Sequence, residues 1–104
     1  MNHYYPIDNY NFGFESIGEN DKCYSGWYKV ALVIAPNSDY HWYRQNSDGT
    51  WSHKPGSRNV RKVDYNGEII YNPNTCDRRT GEINYSLFCG YYQVNIASIN
   101  VNIY

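Results

Sequence analysis

The sequence predicts a mainly β domain, a small twisted antiparallel sheet with long loops and little helix. Three observations carry that prediction. Thirteen tyrosines and three tryptophans dominate an apolar fraction of 41%, and aromatic residues favour strands. The apolar runs are short, partly β-branched and bounded by Pro, Gly, Asn and Asp, which is the punctuation of strands rather than helices. Several segments also alternate apolar and polar residues with period two, the mark of a half-buried strand. A chain of 104 residues suits one domain, read as an aromatic arm over 1–26, a β core over 27–94 and a terminal strand over 95–104.

The arm carries Tyr4, Tyr5, Tyr10, Phe12 and Phe14 with no helical period, interrupted by Gly13 and Gly18. Alternation at Tyr10, Phe12 and Phe14 fits a short strand. The most apolar run, from Trp27 to Ile34, is short, rich in Val and Ile and stopped by Pro36, so it reads as a strand. Pro36-Asn37-Ser38-Asp39 turns the chain into a second strand over 40–45. Asn46-Ser47-Asp48-Gly49 leads into a third over 50–53, closed by Pro55-Gly56. This meander is the expected scaffold.

Its register decides where two histidines point. If Ser47-Asp48-Gly49 is a three-residue loop with Gly49 left-handed, Asn46 pairs with Thr50, Tyr43 faces His53, and His41, Tyr43 and His53 share a face. A two-residue Asp48-Gly49 turn puts the histidines on opposite faces. Beyond the meander, 54–62 reads as a basic loop. Short strands are expected over 60–64 and 69–71, around a turn at Tyr65-Asn66-Gly67-Glu68. The polar stretch 76–81 suggests one helical turn capped by Asn74 or Thr75. A strand follows within 83–94, alternating at Tyr85, Leu87, Cys89 and Tyr91, with a bend or bulge at Gly90. Ile99, Val101 and Ile103 alternate in the tail.

Nine basic and ten acidic residues leave a net charge of -1, so nucleic acid is not an expected generic ligand. No apolar run approaches the length of a membrane span, and no membrane partner is expected. The N-terminus lacks the basic and apolar regions of a secretory signal. Together with three cysteines, an odd number, this predicts reduced thiols and a cytoplasmic location. A protein partner is expected, with the chain a monomer or, through a paired sheet edge, a homodimer.

Four constellations bear on chemistry. His41 and His53, on neighbouring strands, have the arrangement of a base and its orienting partner. Their spacing resembles the His-and-His part of NlpC/P60-like cysteine peptidases and the related papain-like CHAP enzymes. The wider text VALVIAP…DYHWYRQNSDGTWSHKPG…NGEIIYNP…CDR…YSLFCGYYQV is similar to a family of bacterial proteins with that presumed fold, over about 28–94. The resemblance implies His41 as base and His53 as its orienting partner. In those enzymes the nucleophilic Cys opens a helix upstream of the base. Here Cys23 is the one upstream thiol, and it sits in no helical pattern. The chain therefore looks like the sheet half of such an enzyme without its catalytic helix.

The second constellation is metal-ligating. Cys76 and Cys89 are the weak zinc candidates, with no chelating spacing around them; no cofactor is expected. The carboxylates Asp39, Asp48, Asp64, Glu68, Asp77 and Glu82 mostly sit at turns, where Asp serves the backbone. The fourth is aromatic display, with Tyr40, Trp42, Arg44, Trp51, Tyr91 and Tyr92 as a binding patch. The reading that follows is a non-catalytic protein-binding module, of the kind a phage or other mobile element uses to inhibit a host defence protein, as anti-CRISPR proteins do. The alternatives are a cysteine hydrolase or transferase using Cys23, His41 and His53, and a zinc-stabilised binding module.

Overall fold

A computed structural model describes residues 13–55 and 58–95. The described residues form seven strands and no helix: β1 (Phe14–Ile17), β2 (Tyr28–Ala35), β3 (Asp39–Gln45), β4 (Trp51–His53), β5 (Arg79–Thr80), β6 (Ile83–Asn84) and β7 (Leu87–Val94). The fold is mainly β, as the composition predicts. Five strands make one antiparallel sheet in the order β1-β7-β2-β3-β4, and β5-β6 form a small second sheet. The arm is more than an appendage: Phe14 to Ile17 pair with Val94 to Tyr91, and Phe14 is buried. The strand expected in the tail lies outside the described residues, as do Tyr10 and Phe12.

Alternation along β2 divides the core in two. Ala31, Val33 and Ala35 point to one face, where they pack with Tyr43, Trp51, Ile70, Tyr85 and Tyr91. Val30 and Leu32 point to the other, with Phe14, Trp42, Tyr92 and Val94. Both faces of β2 are buried, which is why its sequence reads as a continuous apolar run. Burying a side chain such as Leu32 or Val33 contributes roughly 1.5–3 kcal/mol. The rings Phe14, Trp42 and Tyr92 meet at centroid distances of 5.7 and 6.3 Å, mostly edge to face.

The β3–β4 hairpin takes the three-residue loop. Asn46 N–H donates to Thr50 O, Gly49 N–H donates to Asn46 O, and Gly49 sits at φ +90°. Asp48 Oδ1 accepts from Thr50 N–H and Oγ1–H, holding the loop shut. Tyr43 therefore pairs with His53, and the two histidines share a face. The expected bulge is also present. Gly90 pairs with Leu32 but Phe88 with Val33, so Cys89 is the extra residue, and Gly90 adopts φ +131°. The bulge breaks the simple alternation: Leu87 lies on the face of Ile34, Tyr91 on that of Ala31.

Two local expectations are corrected. Stretches 60–64 and 69–71 form no strand, only the single bridges His53↔Arg61 and Val63↔Ile69. Asp64 explains this: its carboxylate takes the N–H groups of Asn66, Glu68 and Asp77 into a closed loop. The turn is also earlier than 76–81. Asn72 O accepts from Thr75 and Cys76 N–H, while Asn72 Oδ1 accepts from Asn74 N–H. Asn72 is thus the cap, and the chain beyond enters β5. Arg78 fastens this region by donating to the carbonyls of Pro73, Asn74, Tyr85 and Ser86.

Candidate functional site

The shared face of β3 and β4 brings His41 and His53 together. His41 Nε2 lies 2.7 Å from His53 Nδ1, and His53 Nε2 lies 2.8 Å from the Val63 carbonyl oxygen. A carbonyl oxygen only accepts, so His53 Nε2 carries its proton. Neutral His53 then offers a lone pair at Nδ1, and His41 Nε2–H must donate to it. The chain of donors runs His41 to His53 to Val63, and neutral His41 keeps a lone pair on Nδ1. Among the described residues no group hydrogen-bonds that nitrogen.

Rings enclose the pair. Tyr43 stacks on His53 at 5.0 Å and meets His41 edge-on at 5.1 Å; Tyr85 lies over His41 at 5.3 Å, and Tyr65 meets His53 edge-on at 5.2 Å. His41 is 7% exposed and His53 0%. Burial, with the neighbouring His53 adding to it and Asp39 opposing, pushes the His41 pKa down to about 4. His53 moves down too. Burial and the Arg61 charge outweigh the Val63 bond and Asp64, which pull upward. Both rings are therefore neutral near pH 7, and the donor chain is intact.

The surrounding loops fix this geometry. Burial works to raise the Asp64 carboxyl, yet N–H groups from Glu68, Asp77 and Asn66 hold it below its usual range. That clamp sets the adjacent Val63 carbonyl that receives His53. Tyr85 Oη–H donates to Asp39 Oδ2 at 3.0 Å, tying the lid ring to the start of β3. The Tyr43 hydroxyl is buried without a hydrogen-bond partner. The Cys76 thiol lies beside it but outside hydrogen-bond geometry, donating instead toward Pro73 O at 3.5 Å. The sequence singled out the two histidines. The register with a three-residue loop also placed Tyr43 on their face; the roles of Tyr65, Tyr85 and Asp64 depend on a loop path that no local pattern encodes.

Cys23 is not brought to His41. It lines a cleft with Trp27, Lys29 and the stretch from Arg44 to Ser47, at the end of the sheet where β2 begins. His41 stands opposite Val33. Val33 is four residues along β2 from Lys29, roughly 13 Å at the rise of a strand. Burial pushes the Cys23 thiol up against the pull of Lys29, away from a reactive thiolate. Cys76 and Cys89 do not meet either: Cys76 packs on the histidine face and Cys89 on the opposite one. No group of three metal-ligand side chains occurs among the described residues.

The aromatic patch is divided. Trp42, Trp51, Tyr91 and Tyr92 are all less than a tenth exposed and belong to the two cores, so they are unavailable as a contact surface. Trp51 and Tyr91 fill the core on one face of the five-stranded sheet, and Trp42 and Tyr92 the core on the other. Tyr40 is exposed, and Arg44 is half-buried with its guanidinium 4.0 Å over the Tyr28 ring.

Against known proteins, 65 residues are 43% identical to insoluble matrix shell protein 1 of Ruditapes philippinarum. That stretch is 62% of this chain and 41% of the relative, so the chain spans less than half of that protein. No family model and no solved structure matches the chain. No helix among the described residues is long and apolar enough to cross a membrane.

Proposed function

We propose that this chain is a non-catalytic protein-binding module whose histidine pair is a structural latch. The observation that carries this reading is the closed donor chain His41–His53–Val63, walled by Tyr43, Tyr65 and Tyr85, with no thiol hydrogen-bonded to His41 among the described residues. The latch joins β3, β4 and the loop after β4 at a point where no regular strand forms. The partial likeness to a protein named for an insoluble matrix supports an assembly role. It lends nothing to the narrower idea of a host-defence inhibitor, and the proposal stops at protein binding. A reducing cytoplasm is part of it, because all three cysteines are unpaired; recovery from a secreted fraction would overturn that part. The test is affinity capture from the source cells. A stoichiometric complex that survives His41→Gln is expected, and a complex lost with that substitution, or no complex, counts against the reading.

A second reading makes the chain a cysteine hydrolase or transferase using Cys23 and His41, which a rearrangement would have to bring together. The specific support is the unpartnered His41 Nδ1 at the head of a base-and-orienter chain. Alkylation of Cys23 against pH separates the use of that thiol from the latch. A fast rate with an apparent pKa well below about 8.5, lost in His41→Ala, turns the conclusion to an enzyme; a slow rate indifferent to His41 leaves the latch.

A further inference from the structure

Among the described residues, no carboxylate answers the charge of the buried Lys29. Lys29 is 8% exposed. Its ammonium donates to two backbone carbonyls, Glu19 O at 2.7 Å and Asp21 O at 2.6 Å. The side chains of those same residues turn elsewhere. Asp21 Oδ2 accepts from Gly18 N–H at 2.9 Å, and Glu19 Oε2 accepts from Asn72 Nδ2–H at 3.4 Å. An ammonium has three donors. Two are used, and neither partner carries a net charge. Burying an unneutralised charge is costly, and an anion supplied from outside relieves that cost.

The place for such an anion exists. Lys29 lines an open cleft of about 800 Å³ that also takes in Lys22, Arg44, Trp27 and Asn46. That volume is in the range of ligand sites. Lys22 and Lys29 share its wall with the acids Glu19 and Asp21, whose carboxylates are turned to Gly18 N–H and Asn72. The polar lining, with Gln45, Asn46 and Ser47 beside Trp27 and Tyr28, suits the alternating amide and apolar surface of a peptide.

We propose that this cleft binds an acidic peptide segment, with a Glu or Asp carboxylate received by Lys29. The inference rests on the binding-module reading and names its surface. It uses neither histidine and none of the rings that enclose them. Cys23, on the same wall, is a built-in reporter.

The test uses the whole chain and two blocked tripeptides, Ac-Ala-Glu-Ala-NH2 and Ac-Ala-Gln-Ala-NH2, with inorganic phosphate and glutarate as further probes. Binding is read by calorimetry and by site-resolved alkylation of Cys23. The glutamate peptide should bind at least about tenfold more tightly than its glutamine twin, since a charge-assisted bond is at stake, and should slow Cys23 alkylation. Lys29→Met should erase the difference. If that variant does not fold, protection of Cys23 by the glutamate peptide, and not by the glutamine one, still decides the matter. Equal binding of the two peptides, or none, overturns the site. Phosphate or glutarate binding as tightly as the glutamate peptide overturns the peptide class. A partner complex from source cells that persists in folded Lys29→Met overturns this surface and leaves the module reading standing.

Discussion

Lowering the pH from 7 to 5 is expected to weaken the domain, by an amount that follows from where the imidazoles sit. Burial first, and His53 second, hold His41 at about 4 against an ordinary 6.5. In the unfolded chain it takes its proton more readily. Stability is therefore full above the unfolded value and is lost as pH falls from about 6.5 toward about 4. At about 1.4 kcal/mol per unit, the step to pH 5 removes roughly 2 kcal/mol through His41 alone. His53 is shifted the same way, so its contribution has the same sign. Asp64 is held low, so its loss comes only in stronger acid. Urea unfolding at the two pH values, in the wild type and in His41→Gln, measures the loss. Glutamine retains an N–H donor for His53 Nδ1 but does not titrate. The variant should lose about 2 kcal/mol less than the wild type over this interval. Equal losses, or a flat wild-type profile, would refute the assignment of a buried neutral pair.

Three further outcomes are expected. Tyr43→Phe removes a buried hydroxyl with no hydrogen-bond partner, so thermal unfolding should show no loss, or a gain of up to about 1 kcal/mol. Gly90→Ala meets only Tyr92 Oη at 3.7 Å, an ordinary contact, but forces a side chain into φ +131°; denaturant titration should show a loss of about 1–3 kcal/mol. Arg78→Lys gives up the planar fork that reaches four carbonyls. Limited proteolysis should then cut within 73–86 faster than in the wild type, with about 1–3 kcal/mol lost overall.

Much of the sheet was legible because its signals are local. The loop before Thr50 left two registers, of which Gly49 as its last residue slightly favoured the one that pairs Tyr43 with His53, and Gly90 marked the bulge. The short apolar run from Trp27 to Ile34, stopped by Pro36, marked β2. What the sequence withheld depends on residues far apart in the chain. Phe14 enters the core only because β7 arrives beside β1. Trp42 and Tyr92 look like surface display until Phe14 closes over them. Asp64 reads as a turn residue, and its hold on Asp77 N–H spans a loop that no periodicity describes. Lys29 lies near the start of the most apolar run of the chain, and nothing in its local pattern marks it. It is buried because the carbonyls of Glu19 and Asp21 fold back over it.

The strand order has a consequence for synthesis. Of the described strands β1 is made first, yet its neighbour in the sheet is β7, made after the other six; the paired residues Glu15 and Gln93 are 78 positions apart. The meander of β2, β3 and β4 can zip up as it leaves the ribosome, since its contacts are near in sequence. Until β7 emerges, however, β2 presents a bare apolar edge, and β1 waits with nothing to join. Every nascent chain thus passes through an interval with an unprotected sheet edge, the form most prone to pair with a neighbour. Any truncation that removes 87–94 makes that interval permanent. It would detach β1 along with β7, so that one loss removes two strands from the sheet.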